Sequence, residues 1–337
     1  MKALQQLTMG AVISLTLALA ACRNEPLATQ IEPADKPALE PAELESSANS
    51  GVKALPKRLS AEHLPNAIQL HERVISGGQP DGEAAFKELR DLGVKTVISV
   101  DGARPDVQLA EKYGLRYVHL PHGYNGISES RAAELAKAVR DLDGPIYIHC
   151  HHGKHRSPTA ATVACVANGM LDPLTATSVL KFAGTSDNYQ GLYQSAGAAS
   201  RIDAAILDSL EVDFRPIAQL PPFAESMVEL EHTFDHLKQL AAADWKPLPD
   251  HPDLDAAHEA LLLTEHFTEM LRLESTANEP EAFREMLKQS EANARAMHEL
   301  LVKRRTSSVR PEEINQPFKR VSEDCTRCHR QFRDVPL

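Results

Sequence analysis

One short segment of the chain, residues 149–157, carries residue types that could cleave a phosphate ester. Its sequence is His-Cys-His-His-Gly-Lys-His-Arg-Ser. Cys150 is a possible nucleophile, and Arg156 follows after five residues with a planar guanidinium that can bind two phosphate oxygens. A loop of this length can turn its backbone N–H groups inward, ahead of a helix N-terminus that attracts an oxyanion. The segment therefore predicts phosphate-ester hydrolysis through a cysteine.

Its other residues support the same chemistry. The positive field of the loop favours the thiolate of Cys150. We expect His149 to orient the loop and Ser157 to stabilise the thiolate as it leaves a phosphocysteine; a strand-end histidine and a plain helix cap are the alternatives. The residues expected to surround the phosphate are His151, His152, Gly153, Lys154, His155 and Arg156. A metal bound by the histidines is another alternative, which we disfavour because a tight curl splays these side chains outward.

The elements around the segment alternate between strands and helices. A strand at 145–148 precedes Cys150, and a helix with Ser157 as its cap and Pro158 at its first position follows. Further strands are predicted at 74–80, 94–100 and 115–120, and further helices at 81–92, 107–113 and 128–142. This order predicts an α/β domain with a mostly parallel sheet flanked by helices, whose ligands bind at the carboxyl ends of the strands.

The pattern Cys-x5-Arg-Ser, with Gly153 inside it, resembles the signature of the cysteine-dependent tyrosine and dual-specificity phosphatases over about residues 60–205. The resemblance implies a general acid, usually an aspartate in the loop that follows strand 115–120. That loop, residues 121–126, contains no carboxylate here. We favour Asp101, which follows strand 94–100, as the acid; His122 is the alternative, and an Asp-Gly turn would also explain Asp101. A loop that binds anions without turnover remains open.

A second motif stands near the C-terminus. Cys325-Thr-Arg-Cys328-His329 has the spacing of covalent c-type haem attachment. Two residues between the cysteines place both sulfurs on one helical turn, and the adjacent imidazole can bind the iron. We therefore predict haem c as a cofactor. A redox dithiol is the alternative.

Residues 221–331 have apolar residues at helical spacing, with breaks at 247–249, 278–280 and 307–311. They predict an all-α four-helix bundle. A bundle with its attachment motif on the last helix resembles the cytochrome c prime family over about 110 residues. The resemblance implies a distal haem face closed by the first helix, where Met227 is either an iron ligand or a core methionine. Arg333 could pair with a haem propionate or be solvated.

The N-terminus predicts export. Lys2 precedes an apolar run at 9–21 that is too short for a stable membrane span. The residues Leu-Ala-Ala-Cys at 19–22 resemble the lipobox of bacterial lipoproteins, which implies lipidation of Cys22; an ordinary cleavable signal is the alternative. Residues 23–60, rich in Pro, Ala and Glu, predict a disordered tether. We expect a periplasm-facing protein held at the membrane only by its lipid, and Arg23 favours the outer membrane.

The whole chain of 337 residues is long enough for two domains, predicted at 61–212 and 221–337 behind the signal peptide at 1–22. A net charge of −11 argues against nucleic acid as a partner. Cys165 stands among apolar residues and is expected to fill the core.

Three functional classes follow from these motifs. We favour an anchored phosphatase of phosphorylated proteins or small phosphoesters, with a haem domain that serves a redox partner or a gas ligand. A haem sensor that regulates the phosphatase is the second class and needs coupling between two sites. Persulfide chemistry, as in rhodanese-like enzymes, is the third, although the five-residue spacing before Arg156 favours a phosphatase loop.

Overall fold

A computed structural model describes residues 56–337 of the chain. The predicted signal peptide, the lipidation site Cys22 and nearly all of the predicted tether lie outside the described residues. The first part of the described chain, here the α/β part, contains six strands: β1 (Lys57–Arg58), β2 (Ile68–His71), β3 (Val74–Gly78), β4 (Thr96–Ser99), β5 (Arg116–His119) and β6 (Ile146–Cys150).

The six strands form one sheet in the order β1-β2-β3-β6-β4-β5. The last four in this order are parallel, whereas β1 and β2 pair antiparallel at one edge. The mostly parallel sheet predicted from the sequence is confirmed, with an antiparallel edge that the sequence patterns did not indicate. Because β6 is central, Cys150 ends its strand beside Gly78 of β3, at the edge where ligands of parallel sheets bind.

Helices cover both faces of this sheet. One face packs against α3 (Glu129–Asp141), α4 (Arg156–Ala167), α5 (Ala176–Ala183) and α6 (Gln190–Ala198), and the other against α1 (Gly82–Asp91) and α2 (Val107–Lys112). A further short helix, α7 (Ala204–Ser209), ends the α/β part. Cys165 is fully buried in the first of these cores, which confirms its expected place.

The helix after the 149–155 segment begins earlier than predicted. Strand β6 extends through Cys150, so the loop closes within residues 151–155 and α4 starts at Arg156. The predicted helix cap at Ser157 is therefore wrong. His155 occupies the cap position, and the Ser157 hydroxyl, one residue inside the helix, donates instead to the carbonyl oxygen of Gly77 on β3 (2.9 Å).

Four long helices form the second part of the chain, here the helical part. They are α8 (Pro222–Ala242), α9 (Ala256–Arg272), α11 (Glu281–Arg304) and α12 (Pro311–Cys328), with a single short turn, α10 (Glu274–Ala277), after α9. Their apolar faces share one core, and their ends fall at the predicted breaks. Among residues 56–337 no helix is long and apolar enough to cross a bilayer.

The two parts belong to one compact unit. The connecting residues 213–220 run beside the outer edge of β5, where the N–H of His119 donates to the carbonyl of Arg215 (2.8 Å). Next to Asp101, a β-carbon added at Gly102 would lie 3.1 Å from the Val228 side chain of α8. Helix α8 therefore packs directly against the loop that follows β4.

Candidate active site

The 151–155 loop is held to the surrounding scaffold through its carbonyl oxygens. The carbonyl of His151 accepts from Gln79, and that of Gly153 accepts from Asn66. The carbonyl of Lys154 accepts from Thr185, and that of His155 accepts from Thr159. In a planar trans peptide the C=O and the following N–H point in opposite directions. The N–H groups of residues 152, 154, 155 and 156 are therefore turned away from the scaffold, toward the inside of the loop.

Gly153 is required by the shape of this loop. Its φ of +69° belongs to the left-handed region, which favours glycine. A β-carbon at this position would lie 2.4 Å from the backbone nitrogen of Gly78. The loop therefore presses directly onto the end of β3, at a distance that leaves no space for a side chain.

The sulfur of Cys150 lies at the bottom of the loop and is 2% exposed. The hydroxyl oxygen of Ser157 lies 3.3 Å from this sulfur. Because the sulfur also faces the N-terminus of α4, the helix dipole favours negative charge at this position. The geometry suits a thiolate nucleophile whose charge is met by backbone N–H groups, while the hydroxyl of Ser157 donates to the carbonyl of Gly77.

Arg156 supplies the fixed positive charge beside this sulfur. Its Nε is shielded from solvent and has no hydrogen-bond partner anywhere in residues 56–337. Its guanidinium carbon lies 4.6 Å from the ring centre of Tyr124. A buried donor without a partner is costly, so an oxyanion that accepts from Nε would remove that cost.

Two histidines of the loop, His152 and His155, contribute little positive charge. Burial lowers the pKa of His155 to about 4 and also lowers the pKa of His152, so both are neutral at pH 7. His151 lies 3.9 Å from the carboxylate of Asp235 on α8. No group of three or more His, Cys, Asp or Glu side chains in the described part of the chain is arranged to hold a metal ion.

Asp101 lies two residues beyond the end of β4 and is 2% exposed. Its Oδ1 accepts from the N–H of Ala103 (2.9 Å) and the hydroxyl of Ser99 (3.3 Å). Its Oδ2 is shielded and makes no hydrogen bond to any residue that the structure describes. Since Ser99 pairs with His149 across the sheet, Asp101 lies at the same edge as the loop. One free carboxyl oxygen is thus available there for proton transfer.

His119 fixes the backbone of Asp101. The N–H of Ala218 donates to Nδ1 of His119 (3.1 Å), so the ring proton belongs on Nε2, which donates to the Asp101 carbonyl (2.7 Å). Burial lowers the pKa of His119, which keeps this neutral tautomer. A residue of the connecting segment therefore helps to position the predicted acid.

The alternative acid, His122, is poorly suited to that role. Burial lowers its pKa to about 4, so only roughly one molecule in 1,000 would carry the second proton at pH 7. Its Nδ1–H donates to the carbonyl of Gly123 (2.9 Å). The structure gives His122 a turn-stabilising contact within the 121–126 loop.

His149 lies on β6, directly before Cys150 and the loop. Its Nε2 lies 2.6 Å from the Tyr117 hydroxyl, and its ring packs beside Tyr147. Burial lowers the pKa of His149 to about 4, which keeps the imidazole neutral. These contacts agree with a role in orienting the end of β6, just before Cys150.

The segment Cys325-Thr-Arg-Cys328-His329 lies at the end of α12. Cys328 is buried and Cys325 partly buried against the core of the helical part. Burial raises the pKa of Cys325 to about 11 and also raises that of Cys328. Reactive dithiols have lowered thiol pKa values, so this environment disfavours the redox alternative. The His329 imidazole has a pKa lowered by burial to about 4, and a neutral imidazole is the form that binds iron.

The motif adjoins an apolar core. Partly buried apolar side chains pack against the same core of the helical part as the two cysteines, among them Phe223, Met227, Phe234, Phe318 and Phe332. Met227 is thus a member of this apolar group. Arg333 pairs with Asp334 (2.7 Å) and lies over Tyr124, 4.3 Å from the ring centre. Two thiols and one neutral imidazole beside an apolar core are residue types that could hold a covalently attached haem.

The structure thus brings Cys150, Arg156 and Ser157 together, with Asp101 at the same edge. Sequence reasoning missed Tyr124 and His119, which contact Arg156 and Asp101. A tyrosine in a loop and a histidine at the end of a strand carry no signal of their own, because their partners are distant in sequence.

No family model matches the chain, and no curated protein is similar to it. Similar solved structures include TpbA from Pseudomonas aeruginosa, at 18% identity and a TM-score of 0.36, over 42% of this chain and 88% of that one. A DUF442 phosphatase from Shewanella putrefaciens is 18% identical with a TM-score of 0.34, over 41% and 95%. The core catalytic domain of the PP-IP phosphatase SIW14 from S. cerevisiae is 14% identical with a TM-score of 0.34, over 39% and 85%.

Proposed function

We propose that the α/β part is a cysteine-dependent phosphatase that hydrolyses phosphate monoesters. The observation that carries the proposal is the shielded, unpartnered Nε of Arg156 beside the sulfur of Cys150, in a loop with inward N–H groups. A tetrahedral dianion satisfies all of these donors at once. Both a phosphorylated protein and a small phosphoester present such a group.

In the first step the thiolate of Cys150 attacks phosphorus and the P–O bond to the leaving group breaks. Arg156 and the loop N–H groups bind the non-bridging oxygens, whose charge they stabilise in the transition state. Asp101 donates its proton to the leaving oxygen, so the product leaves as an alcohol or phenol.

In the second step water attacks the phosphocysteine. Asp101, now ionised, accepts a proton from that water, and the P–S bond breaks to release phosphate. The Ser157 hydroxyl donates to the departing thiolate of Cys150, which returns the enzyme to its starting state.

For the helical part we propose a covalently bound haem c. Cys325 and Cys328 would form the thioethers and His329 would bind the iron, with Met227 and Arg333 as candidates for a distal ligand and a propionate partner. When bound, the haem would supply electron transfer to a redox partner or binding of a small gas. The apolar lining and the neutral imidazole of His329 support this proposal.

We further propose that the chain is exported and anchored by a lipid on Cys22, facing the bacterial periplasm. The sequence of residues 9–22 and the haem-attachment motif support it together, because covalent haem attachment takes place on the exported side. Metabolic labelling with a radioactive fatty acid tests it: label should enter the parent and be lost in Cys22→Ala.

Hydrolysis of an aryl phosphate by the haem-loaded protein tests the phosphatase proposal. Turnover should fall by at least about four orders of magnitude in Cys150→Ser, because the nucleophile is removed. Inorganic phosphate should still bind to that variant, since Arg156 and the loop remain. Cys165→Ala, which alters another buried cysteine of the same part, should keep its activity. Turnover that survives in Cys150→Ser would contradict the cysteine mechanism.

A further inference from the structure

Two arginines from distant parts of the chain share one aromatic ring. Arg156, at the start of α4, lies 4.6 Å from the ring centre of Tyr124. Arg333, which follows the haem-attachment motif, lies 4.3 Å from the same centre. Tyr124 therefore connects the guanidinium of the phosphate loop with the last residues of the helical part.

The ring of Tyr124 is held by more than these two cations. It also packs on Tyr189 of the α/β part, with 4.5 Å between the ring centres. Asn125, its neighbour in the chain, accepts a hydrogen bond from the N–H of Leu337 (3.0 Å). The 121–126 loop is therefore anchored to both parts of the molecule.

Arg333 is itself held in place by its neighbours. Its Nε donates to the carboxylate of Asp334 (2.7 Å), and the N–H of Asp334 donates to the carbonyl of His329 (2.8 Å). The helical turn His329–Arg333 thus continues directly from the attachment motif to the Tyr124 ring. Because the segment is short and internally bonded, it presents Arg333 in a defined position.

This arrangement matters for phosphate binding because an arginine side chain has many rotamers. Tying its guanidinium to a ring lowers the entropy that is lost when Arg156 binds an oxyanion. A cation over an aromatic face is stabilised more strongly where the group is shielded from water, and the Nε of Arg156 is shielded in this way. A ring that is itself fixed by Arg333 holds the guanidinium more firmly than a ring on a free loop.

We propose that Arg333 and Tyr124 are positioning residues for Arg156, so that the C-terminal segment, residues 329–337, completes the phosphate pocket. The inference rests on the proposed function only in taking Arg156 as the phosphate ligand. It makes the helical part necessary for full phosphate affinity, whatever chemistry its cofactor performs.

The test uses the full haem-loaded chain and compares Arg333→Gln with Arg330→Gln. Both arginines lie on the same helical turn, but Arg330 is exposed. Arg333→Gln should weaken inhibition by vanadate and raise KM, each roughly 5- to 30-fold, with a smaller change in kcat. Arg330→Gln should leave both constants unchanged. Equal constants in Arg333→Gln and the parent, or equal losses in the two variants, would overturn the proposal.

A second pair of variants tests the ring. Tyr124→Phe keeps the aromatic face and should keep vanadate affinity, whereas Tyr124→Leu should lose it to the same extent as Arg333→Gln. A phenylalanine variant as weak as the leucine variant would overturn the role of the ring. The double variant Tyr124→Leu, Arg333→Gln should bind vanadate no more weakly than Tyr124→Leu alone. Both changes remove the same contact, the one between Arg333 and the Tyr124 ring.

Two further measurements keep the result unambiguous. The haem absorption spectrum and the urea midpoint report whether each variant is folded. Where Arg333→Gln fails to fold, Arg333→Lys takes its place, because lysine keeps the charge without the planar group. The expected loss of vanadate affinity is then smaller. Calorimetric binding of inorganic phosphate, in the Cys150→Ser background, needs no turnover. If the parent is inactive, the proposed catalysis fails, while phosphate affinity still decides the role of Arg333.

Discussion

The sulfur of Cys150 and the hydroxyl oxygen of Ser157 are 3.3 Å apart, but the proton of that hydroxyl points elsewhere. It is donated to the carbonyl oxygen of Gly77, at 2.9 Å. A hydroxyl has one proton, so Ser157 can serve only one acceptor at a time. Stabilising a thiolate therefore requires the hydroxyl to turn from β3 toward the sulfur.

Ser157→Ala should slow the release of phosphate from the phosphocysteine more than its formation. Loss of a hydrogen bond to a charged sulfur predicts a second step slower by roughly 10- to 100-fold. Rapid-mixing kinetics with an aryl phosphate would then show a burst of phenol before a slow steady state. Thr162→Val removes a buried hydroxyl of the same helix and should give no burst; a burst in both variants would contradict a specific role for Ser157.

Asp101→Asn tests the proposed general acid. The amide keeps the shape of the side chain but cannot supply the proton, so hydrolysis of an alkyl phosphate should fall by about 10²- to 10⁴-fold. An ester with a very acidic phenol needs less help and should lose less. Steady-state kinetics on a series of leaving groups measures this difference. Asp81→Asn, an exposed aspartate, is the control, and an equal loss for every leaving group would argue against acid catalysis.

The sequence predicted most of the α/β part because its signals are local. An apolar strand, a helix end and the Cys-x5-Arg spacing can each be recognised within a short stretch of sequence. The antiparallel hairpin of β1 and β2 was missed, since a two-residue strand has no periodicity to detect. Ser157 was misassigned as a cap because its true partner, Gly77, is 80 residues away. Tyr124 and His119 likewise depend on partners that are not their neighbours in the sequence.

Gly153→Ala should damage the loop more than its backbone angle alone explains. The added β-carbon would meet the Gly78 nitrogen at 2.4 Å, in addition to the strain of a positive φ. We expect a loss of stability of about 1–3 kcal/mol from local strain together with loss of phosphate binding. Gly184→Ala is the matched control: its φ is also positive, but it has no atom within 4 Å of an added β-carbon.

Urea unfolding and phosphate calorimetry measure these two effects. Gly184→Ala should show only the smaller cost of the left-handed backbone and should bind phosphate normally. Unchanged phosphate binding in Gly153→Ala would show that the loop can move away from β3, contrary to the crowding found here.

The protein should lose stability as the pH falls from 6.5 toward 4, in part through His149. Burial lowers its pKa from 6.5 to about 4, so in this window the unfolded chain binds a proton that the folded chain does not. The contribution of neutral His149 to the free energy of unfolding is fully present above pH 6.5, and roughly 3 kcal/mol of it is lost by pH 4. The free energy of unfolding, measured with urea at a series of pH values, should therefore fall less steeply toward low pH in His149→Asn. The exposed His63, changed to Gln, is the control and should not alter the slope.

Replacing both Cys325 and Cys328 by alanine should abolish covalent haem. Mass spectrometry of the denatured protein measures attachment directly, because a thioether-bound haem stays with the chain. Cys165→Ala should retain the added mass. Because the Cys150 loop is built from other residues, phosphate should still bind to the double variant. An unmodified parent chain, isolated from a host with active haem attachment, would contradict the cofactor proposal.

The connecting residues 213–220 have a consequence for any attempt to separate the two parts of the chain. A chain shortened to end at residue 212 would retain the whole phosphate loop, yet strand β5 would lose its Arg215 partner and His119 would lose the N–H of Ala218. An uncovered strand edge invites pairing between molecules. The shortened protein should therefore self-associate, and a cut placed after Ala218 would divide the molecule more cleanly than one placed where the composition changes.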